Sequence, residues 1–209
     1  MILFVHGWGY DAGFWDPLRN QIADLPTAAV DLGFFGAGDE RIPNEVTMLV
    51  GHSLGFAWLV RQPALRDLPL IGINAFPRFL ESTDYRPAVS LRILERMHRR
   101  LALKPDAVLA EFWAKAGASG PASAPDIGAL AKGLEWLADW DERANLARRT
   151  SPVHLLAGGQ DAIVPAEMTR MAFGDSAIFW LSEGGHALPR THCGDVAAIV
   201  RAFAQVWRR

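Results

Sequence analysis

The chain has 209 residues, 50% of them apolar and 21% charged, with a mean hydropathy of +0.09. That profile suits one globular domain with an elaboration and excludes a disordered, collagen-like or fibrous chain. Lys and Arg number 21 against 23 Asp and Glu, a net charge of −2, which gives no support for a dedicated nucleic-acid binder. The single cysteine, Cys193, can form neither an internal disulfide nor a Cys-rich metal site, so nothing points to an oxidising compartment. The uncharged stretches are too short or too broken to span a bilayer, and the N-terminus lacks the basic region of a signal peptide. A cytoplasmic protein is expected.

Six short apolar runs recur, at residues 1–5, 27–31, 46–51, 70–74, 152–157 and 177–181. Uniformly apolar runs of this length suit strands buried on both faces, as in a parallel sheet covered by helices. Helical stretches at 14–25, 54–61, 165–173 and 195–207 fall between them. The alternation predicts an α/β fold with a mostly parallel six-stranded sheet. The rhythm breaks from 77 to 149, where three helix-like segments follow one another at 88–101, 105–116 and 125–138. In the last, Ile127, Leu130, Leu134 and Leu137 share one apolar face. The expected organisation is a core of residues 1–76 and 150–209, with residues 77–149 inserted after the fourth strand as a helical cap.

The strongest chemical signal is Gly51-His52-Ser53-Leu54-Gly55. It follows an apolar strand run and opens a helical one, the context in which G-x-S-x-G presents a nucleophilic hydroxyl above a sheet. Ser53 is the expected nucleophile. A serine needs a base, and the base an orienting acid. Of six histidines, His186 lies in a glycine loop after the last strand run, where it can reach the sheet's carboxyl edge; His192 is the competing base. Asp161, in the loop after the 152–157 run, is the expected acid, with Asp139 and Asp141 as weaker rivals inside the helical segment. His154 reads as a core residue and His98 as a solvated one. The backbone N–H groups of Leu54 and Trp8 are the natural oxyanion donors. His186 would take the Ser53 proton, an acyl-enzyme would form, and water activated by His186 would release the acid. This chemistry needs no cofactor, and the scattered histidines offer no metal site.

His6-Gly7-Trp8-Gly9, Asp31-Leu32-Gly33-Phe34-Phe35-Gly36, the serine motif, Gly159-Gln160-Asp161 and Gly185-His186-Ala187 are together similar to the landmarks of the α/β-hydrolase superfamily. Within it the chain resembles the pimeloyl-acyl-carrier-protein methyl ester esterases of biotin synthesis. That narrower likeness rests on His6-Gly7-Trp8-Gly9 with Phe14-Trp15, and on the run from Gly133-Leu134-Glu135-Trp136-Leu137 to Ser151-Pro152-Val153. The resemblance implies a serine carboxylesterase acting on a carrier-bound ester. The alternatives are a generalist short-chain carboxylesterase or acyltransferase, and a non-catalytic ligand binder of the same fold. Against the superfamily pattern the sequence starts at what resembles the third strand, lacks most of the helix before the nucleophile strand, and carries Phe56 where a small residue commonly stands.

Substrate choice is expected to reside in the cap, where Trp113 and Trp136 could line a slot for an acyl chain. Arg92, Arg96, Arg99 and Arg100 share one helix face. From residue 77 to 106 there are seven basic and four acidic residues, a local excess of three positive charges. That patch suits an acidic carrier protein or its phosphopantetheine phosphate.

Overall fold

The computed structural model describes residues 1–174 and 178–207. Six strands among them form one parallel sheet: β1 (Ile2–Val5), β2 (Thr27–Val30), β3 (Met48–His52), β4 (Leu70–Ile73), β5 (Val153–Gly158) and β6 (Ile178–Leu181), in the order β2-β1-β3-β4-β5-β6. The expected strand residue Ala177 lies outside the described residues. Successive side chains of a strand point to opposite faces, and here both faces are covered. Leu3, Val5, Leu49 and Leu70 enter one hydrophobic core, while Ile2, Phe4, Met48, Val50, Ile71 and Ile73 enter the other. Two-sided burial is the reason the strand sequences are uniformly apolar.

Helices α1 (Asp16–Gln21), α8 (Leu188–Thr191) and α9 (Cys193–Val206) cover one face through Leu18, Leu188, Val196 and Val200. Helices α2 (Leu54–Val60) and α7 (Ala166–Phe173) cover the other. Four helices occupy the stretch between β4 and β5: α3 (Leu91–Leu101), α4 (Pro105–Ala116), α5 (Ile127–Asp139) and α6 (Arg143–Ala147). Their apolar residues Leu94, Leu101, Val108, Leu109, Leu130, Leu134 and Leu137 join the same core as α2. From β1 the chain steps to β2 on one side, then returns through β3 and proceeds to the other. This reversal opens a crevice beyond the carboxyl ends of β1 and β3, where parallel α/β sheets bind ligands.

Three of the departures from the sequence expectation have a clear local reason. The helix expected at 14–25 is a 3₁₀ turn (Ala12–Trp15) followed by α1, which ends at Gln21. Pro26 disfavours helical backbone at Leu25, and Leu25 N–H instead closes a turn onto Ile22 O at 2.8 Å. The helix expected from 88 starts at Leu91, because Val89 pairs in extended form with Phe79 and Glu81 (3.1 and 2.9 Å). Helix α6 has five residues, too few for periodicity to announce it.

Candidate active site

Ser53 sits between β3 and α2 with φ 55° and ψ −121°, a left-handed conformation that ordinary side chains avoid. The turn survives because its surroundings hold it. Ser53 N–H donates to Ile73 O (3.0 Å), and Phe56 N–H donates to Ser53 O (3.0 Å). The flanking glycines permit backbone contact that no side chain would allow. A β-carbon at Gly55 would overlap the Val5 carbonyl, and one at Gly51 would lie 2.6 Å from Phe56 Cα. Leu54 is the first residue of α2, so its N–H has no intrahelical acceptor. A β-carbon on Gly7, the neighbour of Trp8, would come 3.0 Å from Ser53 Cβ, so the loop after β1 runs alongside the serine.

His186 Nδ1 lies 2.7 Å from Asp161 Oδ2, with both residues buried. The other carboxylate oxygen, Oδ1, accepts from Ile163 N–H (2.7 Å) and Val164 N–H (2.8 Å). A carboxylate so placed accepts only, so the ring proton belongs on Nδ1 and Nε2 is the nitrogen left for chemistry. Behind the serine, His52 stacks on Phe14 at 4.8 Å and its Nε2 meets His186 O at 2.9 Å. Complete burial, which penalises the charged form, holds His52 well below the ordinary histidine range. Its Nε2–H is the donor to that carbonyl, and its buried Nδ1 has no hydrogen-bond partner.

Ser53 and Trp8 form part of the wall of a cavity of about 470 Å³. Leu94, Met97, Val108, Leu137 and Ile163 make much of the rest apolar. Phe112 projects from α4 over the site, with its ring 4.9 Å from Trp8 and 6.4 Å from His186. Arg96, Arg100 and Lys115 also line this cavity, with Glu111 and Glu167. Arg100 is committed to Glu111 through two hydrogen bonds of 2.7 and 2.5 Å. Arg96 and Lys115 lie near the same Glu111 and add to the field that lowers the pKa of its carboxyl.

The remaining expected residues are distributed more widely. Trp113 lies outside the cavity wall, donating from Nε1 to Gly9 O (2.9 Å) and packing on Phe35. Trp136 stacks on Trp140 at 4.9 Å, also away from the wall. Both tryptophans therefore act where they are seen as packing, not as cavity lining. The four arginines of α3 do not stay together either: Arg96 and Arg100 reach the cavity, whereas Arg92 and Arg99 are exposed and do not. The 100° step of the helix turns positions 92 and 99 away from 93 and 97, which border the cavity. His192 bonds Thr191 Oγ1 at 3.0 Å, Asp141 is held by Arg78 and Arg143, and Asp139 is exposed. His154 packs on Phe203 at 4.2 Å, and His98 is exposed. His6 is enclosed, with Leu32 N–H donating to its Nε2 at 3.0 Å. Among the described residues, no three His, Cys, Asp or Glu side chains gather as a metal-binding group.

Phe112 and Asn74 carry no motif and were not legible as site residues. The one signal for Asn74 is a polar amide immediately after an apolar strand run, at the sheet's carboxyl edge. Phe112 is one of two adjacent aromatics on α4, and sequence spacing does not say which of the two faces the crevice.

Among proteins of known sequence, the chain is similar to the pimeloyl-[acyl-carrier protein] methyl ester esterase of Stenotrophomonas maltophilia, at 29% identity over 97% of this chain and 92% of that one. It is 30% identical to the Legionella pneumophila protein of the same name, over 80% of this chain and 77% of the relative. It is also 29% identical, over 97% of its own length, to the biotin biosynthesis bifunctional protein BioHC of Cellvibrio japonicus, of which it spans 47%. Among solved structures, the esterase EaEST from Exiguobacterium antarcticum superposes with a TM-score of 0.82 over 98% of this chain and 91% of that one, at 15% identity, a likeness of fold. The sequence profile of the alpha/beta hydrolase family matches residues 2–199, and the chain belongs to that family.

Proposed function

We propose that the chain is a serine carboxylesterase that hydrolyses the methyl ester of pimeloyl-acyl carrier protein in biotin synthesis. The observation that carries the catalytic half is the buried Asp161–His186 pair, 2.7 Å apart, beside a cavity that Ser53 lines. In this reading Ser53 Oγ attacks the ester carbonyl as His186 Nε2 takes its proton, and Asp161 stabilises the imidazolium. The N–H groups of Trp8 and Leu54 receive the oxyanion. Methanol leaves with the proton from His186, which then activates water against the acyl-enzyme to release the carboxylic acid.

The substrate half is supported by the names of the sequence relatives and by the cavity's chemistry. Apolar walls suit an aliphatic acyl chain. Arg96 and Lys115 suit an anionic group outside it, such as the phosphopantetheine phosphate of an acidic carrier. Residues 77–149 act as the cap that selects the substrate, over a core formed by 1–76 and 150–209, in the cytoplasm. Among the described residues no helix is long and apolar enough to cross a membrane.

The test compares carrier-bound pimeloyl methyl ester with a small soluble ester for wild type, Ser53→Ala and the double variant Arg96→Glu/Lys115→Glu. The expected result is loss of both activities in Ser53→Ala, and a tenfold or greater loss on the carrier ester alone in the charge-reversed protein. Equal losses on both esters, or none, would sink the carrier-docking role and leave a generalist short-chain carboxylesterase. Full activity in Ser53→Ala would remove the mechanism itself.

A further inference from the structure

Asn74 is the first residue after β4 and is buried. It adopts φ 46°, a conformation that asparagine tolerates better than most residues. Its backbone N–H donates to Leu156 O in β5 at 2.9 Å. The carbonyl of the preceding residue, Ile73, receives the Ser53 N–H. Every polar atom of the side chain is also used. Oδ1 accepts from Gly158 N–H at 2.8 Å, at the end of the strand that leads to Asp161. Nδ2 donates one proton to Gly185 O at 3.0 Å and the other to His186 O at 2.6 Å. The His186 carbonyl thus receives two buried donors, Asn74 Nδ2 and His52 Nε2.

We infer that Asn74 is the positioning residue of the site: a single amide that ties the loop carrying His186 to the strand ends carrying Ser53 and Asp161, so that the imidazole is held in register with both. This inference rests on the Ser53–His186–Asp161 reading and deepens it. The chemistry selects this side chain. One acceptor and two donors are needed on a short stem at positive φ, and among the common residues only asparagine combines them. Aspartate would keep the acceptor and lose both donors, turning a negative oxygen toward two carbonyls. Glycine would keep the backbone conformation and lose all three bonds, which separates the side chain's role from backbone strain.

The experiment uses the full chain as wild type, Asn74→Gly, Asn74→Asp, Ser53→Ala and His186→Ala, with p-nitrophenyl butyrate as the ester. Folding is checked by circular dichroism. The downfield Nδ1–H proton resonance of His186, assigned by its loss in His186→Ala, is followed by NMR. Asn74→Gly is expected to lower kcat tenfold or more with KM within twofold, and to shift or broaden the resonance. Asn74→Asp is expected not to rescue either property, and it carries the test if the glycine variant fails to fold. A folded Asn74→Gly or Asn74→Asp with kcat within twofold of wild type and an unmoved resonance, while Ser53→Ala is inactive, would overturn the role of Asn74 alone. An active Ser53→Ala would instead overturn the triad reading beneath it. The resonance reports on His186 whichever ester the enzyme prefers.

Discussion

Helices α2 and α3 contribute to the same hydrophobic core, and the cavity that α3 borders is also lined by Ser53, the residue that caps α2, yet the two helices are built on opposite terms. All seven residues of α2 are buried, and its opening turn is wedged so tightly against β1 that Gly55 cannot carry a β-carbon. Of the eleven residues of α3 only Leu94 and Leu101 are buried, while Leu91 and Ile93 stand about half exposed. The two helices divide the labour. The sheet side fixes the positions of Ser53, Asp161 and His186 through many contacts, as the proposed mechanism requires of its three residues. Helix α3 is fixed by only two buried side chains, so packing constrains its cavity-facing residues far less.

Substitutions on the two sides should therefore have different consequences. The largest effect is expected for Asp161→Asn, which keeps the shape but removes the acceptor that orients His186. Turnover of a chromogenic acyl ester should fall by about 10⁴-fold with an unchanged circular dichroism spectrum. Met97→Ala, on the α3 wall of the cavity, should change KM by several-fold and leave kcat within the same order. Should the two variants lose kcat alike, the division fails. Next comes Gly55→Ala, which drives a methyl group into the Val5 carbonyl. It should cost about 3 kcal/mol in urea unfolding.

A smaller effect concerns acid stability on the sheet side. Asp31 ties the start of the loop after β2 to the loop after β1, accepting from Ala12 N–H (3.0 Å) and Gly33 N–H (2.9 Å). Burial works against its ionisation, but the hydrogen bonds it accepts from these two donors outweigh it and hold the carboxyl at about 2. A depressed carboxyl contributes stability that is present above its unfolded value of 3.8 and lost as the pH falls toward 2. The side chain is partly exposed, so the contribution is trimmed to about 1–2 kcal/mol. Asp31→Asn should be less stable than wild type at pH 6, and the gap should narrow between pH 4 and pH 2. A gap that stays constant across that range would remove Asp31 from the account. The smallest effect is expected at Leu103, 81% exposed in the turn after α3. Leu103→Ser should change stability by less than about 0.5 kcal/mol.

The sheet was legible in the sequence because burial on both faces removes ambiguity: a run such as Met48-Leu49-Val50 has no polar side to hide. The loops carrying Ser53, Asp161 and His186 were legible as candidates because each follows such a run and holds a nucleophilic or titratable residue among glycines. What could not be read depends on direction, not residue type. Phe112 and Trp113 are neighbours in sequence and 100° apart on α4, so one reaches the crevice and the other bonds Gly9 O. The α3 arginines divide for the same reason. Helix α4 has apolar residues on several faces because it touches β1's loop, α3 and the core together, which blurs its periodicity. Asn74 is still less visible, since its role lies in three hydrogen bonds to residues 84 to 112 positions away.

The central claim is that Ser53, activated by His186, is the nucleophile. Its most direct test is reaction of the intact protein with a fluorophosphonate, followed by mass mapping of the modified peptide. One covalent label is expected, on Ser53, formed at a rate that collapses in His186→Ala. Labelling of a different serine, or undiminished labelling of Ser53 without His186, would contradict it.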